Sequence, residues 1–229
     1  LATLGKLTAT VSHELRNPLG TIRSSLYSLN KRIREEADEK ITQIIKRAER
    51  NIERCDLIID ELLEYTRSKQ LKKEMTDITH LIDDILHEIR VPEYISLEKK
   101  QLSDISIYID KERIRRCIIN IINNAIHSLQ TKYTTHYDKK DDTYAITIQL
   151  QKINDRFEVQ IADTGIGIPE EKKEKIFEPL YSTKNFGVGL GLSIVKQIVE
   201  KHDGGIHIES KENDYTIVRV WLPVCVKNS

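Results

Sequence analysis

The first 70 residues carry apolar side chains at steps of three and four, the spacing of one face of an α-helix. The first stripe consists of Leu4, Leu7, Val11, Leu15, Leu19, Ile22, Leu26, Leu29 and Ile33. The second repeats every seven residues and consists of Ile41, Ile45, Ala48, Ile52, Cys55, Ile59, Leu62 and Thr66. The two stripes predict a helical hairpin over residues 1–70, with a polar connection at 34–38 and Asp38 as the N-cap of the second helix.

Two helices alone bury a single seam poorly. We therefore expect a second copy of the chain to complete a four-helix bundle with this hairpin. A monomeric hairpin that rests on the remainder of the chain is the alternative.

His13 lies on the side of the first helix that faces water. At ~100° per residue, it falls nearly opposite the line through Val11 and Leu15. Glu14 is its neighbour, and Pro18 should bend or loosen the helix one turn later because proline lacks an N–H. Most exposed histidines are only solvated, so this segment alone leaves its function open.

From about residue 74 the pattern changes to short strands mixed with helices. The predicted strands lie near 75–78, at 95–98 and 105–109, in a hairpin at 145–150 and 157–161, and at 205–210 and 215–222. The predicted helices are 81–89, 111–129 and 190–202, while 131–143 should be a loop and 163–189 a glycine-rich irregular stretch. Helices grouped against a mixed sheet predict an α+β layer domain over 74–226.

Two asparagines stand out on the helix 111–129. Asn120 and Asn124 are four residues apart, on the side opposite the apolar face. Carboxamide oxygens are hard ligands that suit Mg²⁺. Surface asparagines placed by chance are the alternative.

Asp163 directly follows a predicted strand, and Gly165 and Gly167 follow it at alternate positions. Glycines let the backbone approach a flat ligand closely. The carboxylate can accept a hydrogen bond from an exocyclic amine such as that of adenine. An ordinary turn is the alternative.

A second glycine cluster leads into the helix 190–202. Gly187, Gly189 and Gly191 leave backbone N–H groups available at a helix N-terminus, where an anion is favoured. The spacing is not that of a Walker loop, because no Gly-Lys-Ser/Thr follows. Lys184 is placed to reach a phosphate, and the span between the glycine clusters could move as a lid. A flexible surface loop is the alternative.

Composition narrows the class of protein. The formal net charge is zero, so it indicates no basic face for nucleic acid. No stretch reaches the ~18 apolar residues of a membrane span, and no signal peptide opens the sequence. We expect the cytoplasmic, C-terminal part of a longer protein, without direct membrane contact, whose N-terminal input region is missing. Cys55, Cys117 and Cys225 lack metal-ligand spacing and suggest packed, reduced thiols.

Taken in order, these segments resemble a sensor histidine kinase of two-component systems over nearly all of the chain. Residues 12–19 are similar to the H-box of that family and residues 120–125 to its N-box. Residues 163–167 and 187–191 resemble its two glycine boxes, and Phe177 resembles its F-box. Each motif is weak or moderate alone, but five in this order are specific.

The resemblance implies a multi-domain protein. Residues 1–70 would form an all-α dimerisation and phosphotransfer hairpin, and 74–226 a Bergerat-type ATPase domain with a mixed sheet. His13 would accept the phosphoryl group, Glu14 would assist it, and Asn17 would orient water during dephosphorylation of a partner. The implied partners are a second copy of the chain and the receiver domain of a response regulator.

The resemblance also implies the nucleotide site. Asn124 would ligate Mg²⁺ with Asn120 nearby, and Asp163 would bind the adenine amine of ATP. The other implied ATP-binding residues are His127, Gly165, Gly167, Thr183, Lys184, Gly187, Val188, Gly189, Leu190 and Gly191. His127 departs from the pattern, because many members carry Lys or Arg there. A dimeric scaffold that binds or hydrolyses ATP without phosphotransfer is the alternative function.

Overall fold

The computed structural model describes residues 15, 19–27, 29, 39–66, 70–101, 105–135, 143–181 and 189–224. These residues fall into two compact units. One unit contains the described residues up to 66 together with Gly189 and Leu190. The other contains the described residues of 70–181 and 191–224. In the part of the chain that is described, no helix is long and apolar enough to cross a membrane.

The first unit is helical, as its apolar periodicity predicts. Residues 19–27 form helix α1, and α2 runs over Glu39–Thr66. Three isoleucines of α2 at heptad spacing, Ile45, Ile52 and Ile59, are buried. An ion pair between Arg23 Nη2 and Asp56 Oδ2, 2.7 Å apart, joins the two helices. The expected connection at 34–38 and its cap Asp38 lie outside the described residues.

The second unit is an α+β layer structure, and this prediction is confirmed. Its helices are α3 (Ile78–Glu88), α4 (Lys111–Thr135) and α5 (Gly191–Lys201). Its strands are β1 (Glu74–Asp77), β2 (Ser96–Gln101), β3 (Ser106–Ile109), β4 (Ala145–Ile153), β5 (Arg156–Asp163), β6 (Gly205–Lys211) and β7 (Tyr215–Pro223).

The strands form two sheets. Strands β1 and β3 pair antiparallel in a two-stranded ribbon. The main sheet has the order β2-β4-β5-β7-β6, with β2 parallel to β4 and every other pair antiparallel. Along β4, β5 and β7 every second residue is buried, so one face of the sheet lies in the core. That face packs against α4 and α5.

Helix α4 is longer than its sequence pattern predicts. A loop was expected from residue 131, but the helix continues to Thr135. The hydroxyls of Thr131 and Thr135 donate to carbonyl oxygens four residues earlier, at 2.9 and 2.8 Å. The buried Lys132 donates from Nζ to the Thr164 carbonyl at 2.8 Å. Polar contacts therefore hold the last turns, and apolar periodicity does not record them.

The glycine-rich stretch also contains short regular pieces. Two 3-10 turns, Glu170–Lys172 and Lys175–Phe177, occupy part of the region that was expected to be irregular. Residues 182–188 of that stretch lie outside the described part of the chain. The remaining strands and helices begin and end within a few residues of their predicted bounds.

A buried histidine joins the end of α5 to the start of α4. His202 Nδ1 lies 2.8 Å from the Ile198 carbonyl oxygen, and its Nε2 accepts from the Asp110 backbone N–H at 3.0 Å. Since Nε2 accepts, the ring is neutral and carries its proton on Nδ1. Burial lowers the pKa of His202 below its ordinary value of 6.5. The Asp110 carboxylate in turn accepts from the backbone N–H groups of Lys72 and Arg113.

Protonation of His202 should therefore cost stability. Because the folded-state pKa is lower than 6.5, the free energy of unfolding is greatest above pH 6.5 and falls as the pH drops below that value. We expect His202→Gln to lose about 1–3 kcal/mol at pH 7.5, through weakened hydrogen bonds, and to respond less steeply to acid. Thermal unfolding at pH 7.5, 6.5 and 5.5 measures both effects.

The control is His80→Gln, at an exposed histidine of α3. It should keep the stability of the wild type at pH 7.5 and its acid dependence. If His202→Gln unfolds with the same pH dependence as the wild type, His202 does not control the acid response.

Candidate functional site

Asp163 ends β5 as a buried carboxylate with 6% of its surface exposed. Its Oδ1 accepts from the Gly165 backbone N–H at 2.9 Å. Burial raises the pKa of Asp163 to about 6. Hydrogen bonds from Gly165 and Ser128 and the positive charge of Lys132 oppose that rise. The Asp163 carboxyl group is therefore half ionised near pH 6 and is mostly an ionised acceptor at pH 7.

The turn after Asp163 has no room for side chains at its two glycines. A Cβ on Gly165 would lie 2.0 Å from Ser128 Oγ and 2.6 Å from Asp163 Oδ1. Gly167 has a φ of +63°, and a Cβ there would lie 2.0 Å from the Lys211 carbonyl oxygen. The turn thus packs its backbone directly against α4 on one side and the end of β6 on the other.

Backbone groups of the turn are held at both sides. Ile166 N–H donates to Ser128 Oγ at 3.1 Å, and Ile168 N–H donates to Ser210 Oγ at 2.9 Å. Thr216 of β7 lies opposite Asp163 in the sheet register, and its Oγ1 is 3.0 Å from Ser210 Oγ. These contacts fix the backbone of the turn beside the Asp163 carboxylate.

Helix α4 places a polar group at the N-terminus of α5. The Nδ2 atom of Asn120 is buried and has no hydrogen-bond partner among the described residues. A Cβ on Gly191, the first residue of α5, would lie 3.9 Å from Asn120 Cγ. A buried donor without a partner costs free energy unless a ligand accepts from it. A donor beside a helix N-terminus is suited to an anion.

The structure brings together part of the predicted site. Asp163, Gly165 and Gly167 form one cluster, and Asn120 and Gly191 form another, both in the second unit. Asn124 and His127 lie on α4, one and two turns beyond Asn120. Gly189, with a φ of +74°, and the buried Leu190 belong to the first unit. The predicted residues outside the described part of the chain are His13, Glu14, Asn17, Thr183, Lys184, Gly187 and Val188.

Two residues of the site were missed by sequence reasoning. Ser128 contacts the Asp163 turn, and Lys132 anchors it through the Thr164 carbonyl. Both continue the four-residue steps from Asn120 and Asn124 along α4. That polar row was the signal that could have found them.

A cation at this site would need carboxamide and ligand oxygens. Among the described residues, no group of three or more His, Cys, Asp or Glu could hold a metal ion. The side-chain oxygens of Asn120 and Asn124 fit Mg²⁺, which binds few protein ligands and relies on water and substrate phosphates.

Comparison with known protein families assigns both halves of the chain. Residues 3–71 match the His Kinase A (phospho-acceptor) domain. Residues 109–225 match the family described as histidine kinase-, DNA gyrase B-, and HSP90-like ATPase.

Individual proteins agree with these matches. The chain is 33% identical to the sensor histidine kinase ZraS of Klebsiella oxytoca, over 98% of the chain and 47% of that protein. It thus spans about half the length of this curated relative. The histidine kinase ThkA, solved in complex with response regulator protein TrrA, is 27% identical at a TM-score of 0.66, over 99% of this chain and 63% of that one. Full-length ShkA in complex with AMPPNP, at 20% identity and a TM-score of 0.77 over 99% of this chain and 47% of that one, shows the fold alone.

The tight turn gives a stability test. Gly165→Ala should lower the free energy of unfolding by about 1–3 kcal/mol, because the new methyl group would overlap Ser128 Oγ and Asp163 Oδ1. Thermal unfolding of the full chain measures the loss. Gly20→Ala is the control, since Gly20 lies in helix α1 with no heavy atom within 4 Å of its added Cβ. That change should be neutral or stabilise by up to about 1 kcal/mol. An unchanged unfolding temperature in Gly165→Ala would contradict the close packing of this turn.

Proposed function

This chain belongs to the sensor histidine kinases, and we propose that it is an ATP-dependent protein-histidine kinase of two-component signalling, active in the cytoplasm. The observation that carries the proposal is the buried Asp163 carboxylate, held on a rigid glycine turn beside α4. The same helix presents, at the N-terminus of α5, an amide donor that has no partner among the described residues. The Asp163 cluster suits an amine, and the cluster of Asn120 and Gly191 suits an anion. An adenine nucleotide offers both, because its base carries an exocyclic amine and its phosphates are negatively charged.

Asp163 would select adenine. An ionised carboxylate accepts from the exocyclic amine of adenine, whereas guanine has a carbonyl oxygen at that position. Gly165 and Gly167 would let the flat base approach the backbone. Since the pKa of Asp163 is about 6, the carboxylate is mostly ionised at pH 7 and above.

Asn120 and Gly191 would bind the phosphates. The Asn120 Nδ2 donor supports this role, because it is buried and has no partner among the described side chains and backbone. Asn124 and Asn120 would hold Mg²⁺ through their side-chain oxygens, and the ion would neutralise phosphate charge. His127 would add a donor one turn further along α4.

The remaining phosphate contacts are proposed from sequence. Thr183, Lys184, Gly187 and Val188 lie outside the described residues, and Gly189 and Leu190 belong to the other unit. We propose all six as further ATP-binding residues. Their order before α5 and the family match to residues 109–225 support the assignment.

His13 would be the nucleophile. A neutral imidazole nitrogen has a free lone pair that can bond to the γ-phosphorus while the bond from that phosphorus to the bridging oxygen breaks. The products are phosphohistidine and ADP, and Glu14 would accept the imidazole proton or hold it by a hydrogen bond. The match of residues 3–71 to a phospho-acceptor domain supports this role.

We propose the receiver domain of a response regulator as the next acceptor. One of its aspartates would take the phosphoryl group from His13, and Asn17 would orient water when the regulator is dephosphorylated. The complex of the relative ThkA with its regulator TrrA supports this class of partner. We assign phosphotransfer and docking to residues 1–70 and ATP binding to 74–226.

The first unit carries an uncovered apolar row that supports a homodimer. Leu15, Ile22 and Leu29 follow one another at heptad spacing, and each is 46–48% exposed in the single chain. By contrast, the heptad isoleucines of α2 are buried. A second copy of the hairpin would cover the exposed row and complete a four-helix bundle.

Replacement of the nucleophile separates kinase activity from ATP binding. His13→Gln should remove more than 99% of the acid-labile, base-stable label that the chain takes from γ-labelled ATP, because glutamine has no nucleophilic ring nitrogen. ATP affinity should stay within about two-fold of the wild type. Asp163→Asn is the counterpart that should lose both. Equal labelling of His13→Gln would identify another acceptor, and ATP binding without any labelling of the wild type would favour the ATP-binding scaffold.

The exposed row of Leu15, Ile22 and Leu29 gives a test of the dimer. Ile22→Lys should raise the dimer dissociation constant at least about 10-fold. The dimer would cover the exposed half of each Ile22 side chain, which contributes about 0.7–1.5 kcal/mol, and the symmetric interface contains two. Sedimentation velocity over a dilution series measures the constant. The matched control is Ser24→Lys. Two residues correspond to a rotation of about 200° around the helix axis, so position 24 lies near the side opposite Ile22. An undiminished dimer in Ile22→Lys, or a monomeric wild type, would refute the proposed interface.

A further inference from the structure

Ser128 connects α4 to both parts of the Asp163 turn. Its Oγ accepts from the Ile166 backbone N–H at 3.1 Å. Ser128 Oγ and Asp163 Oδ1 lie 2.0 and 2.6 Å from the same point, the position of a Cβ on Gly165, so the two side chains are neighbours. A hydrogen bond from Ser128 accordingly lowers the pKa of the Asp163 carboxyl. Ser128 occupies the space that a Cβ on Gly165 would need, 2.0 Å away.

The direction of these hydrogen bonds follows from the chemistry of the groups. A hydroxyl has a single proton and two lone pairs. The Ile166 N–H is a donor, so it uses a lone pair of Ser128 Oγ. The Ser128 proton then goes to Asp163, whose ionised carboxylate can only accept. Together with the Gly165 N–H, two donors from different segments restrict rotation of the carboxylate.

We propose that Ser128 is a positioning residue for base recognition, which holds the Asp163 carboxylate in the orientation that accepts from the adenine amine and rejects the guanine carbonyl. This inference rests on the proposed ATP site and adds a determinant of its specificity. Ser128 acts through Asp163 rather than on the substrate, so its effect should be greatest on the preference between the two bases.

Electrostatics adds a second, separable effect. Burial raises the pKa of Asp163 to about 6, while the hydrogen bonds from Gly165 and Ser128 and the charge of Lys132 work in the opposite direction. The residues paired with Asp163 on the two neighbouring strands, Ile146 of β4 and Thr216 of β7, are uncharged. Loss of the Ser128 hydroxyl should therefore raise the pKa of Asp163 further. As the pH falls, the variant should then lose adenine binding at a higher pH than the wild type does.

The experiment measures ADP and GDP binding to the full chain by calorimetry between pH 5.5 and 8.5. For Ser128→Ala we expect about ten-fold weaker ADP binding at pH 7.5, which is the loss of about one charge-assisted hydrogen bond. The ratio of ADP to GDP affinity should fall by a similar factor, and the midpoint pH of ADP binding should rise. Ser128→Thr keeps the hydroxyl and should restore the ratio and the midpoint.

Thr134→Ala is the matched control on the same helix. Its hydroxyl donates to the Gln130 carbonyl at 3.0 Å and the residue is exposed, so nucleotide binding should not change. Circular dichroism and thermal unfolding accompany each variant. If Ser128→Ala does not fold, Ser128→Cys replaces it, and its weakly donating thiol should give the same changes at smaller size.

The outcomes separate this inference from the proposed function. If Ser128→Ala, or Ser128→Cys in its place, lowers ADP and GDP affinity equally and leaves the pH midpoint unmoved, Ser128 is only structural and the inference is overturned. An unchanged ADP to GDP ratio also overturns it. If the wild type binds no ADP, the proposed ATP site fails, and this inference fails with it.

Discussion

A buried carboxylate must find its donors locally, and the second unit is organised around that requirement at Asp163. The residue ends β5, where the core face of the sheet meets α4. One donor comes from the turn that follows it, and another comes from the helix above. A side chain at position 165 would prevent that contact, so the glycine and the serine of α4 depend on each other. The acceptor is therefore built by packing rather than by a loop alone.

The two units differ in the kind of group that lacks a partner among the described residues. In the second unit the group is polar: the buried Asn120 Nδ2, beside the N-terminus of α5, has no partner among the described residues. In the first unit the surface is apolar, at the exposed Leu15, Ile22 and Leu29. A donor without a partner favours a ligand, whereas an exposed apolar row at heptad spacing favours another helix. The proposed division of labour, with nucleotide binding in one unit and dimerisation in the other, follows from this difference.

Sequence patterns predicted the regular elements well where burial alone shapes them. Each of these elements has one buried face, marked by the heptad isoleucines in α2 and by alternate residues in β4, β5 and β7. The spacing of the apolar residues distinguishes a helix from a strand. The predicted end of α4, at residue 129, was wrong because polar contacts of Thr131, Lys132 and Thr135 stabilise the last turns of the helix. Ser128 was missed for a similar reason: its partners lie 35 or more positions further along the chain. A local pattern contains no information about such distant pairs.

The amino-acid sequence by itself determined the family, the helical and mixed α+β parts, and the candidate residues, because periodicity and motif order are properties of the chain. The tertiary structure alone decided which polar groups meet. It placed Ser128 in the space left by Gly165 and brought Lys132 within hydrogen-bond distance of the Thr164 carbonyl. It also buried the Asn120 amide nitrogen, which has no partner among the residues that the structure describes. Those outcomes depend on the approach of segments that are distant in sequence, and only packing specifies that approach.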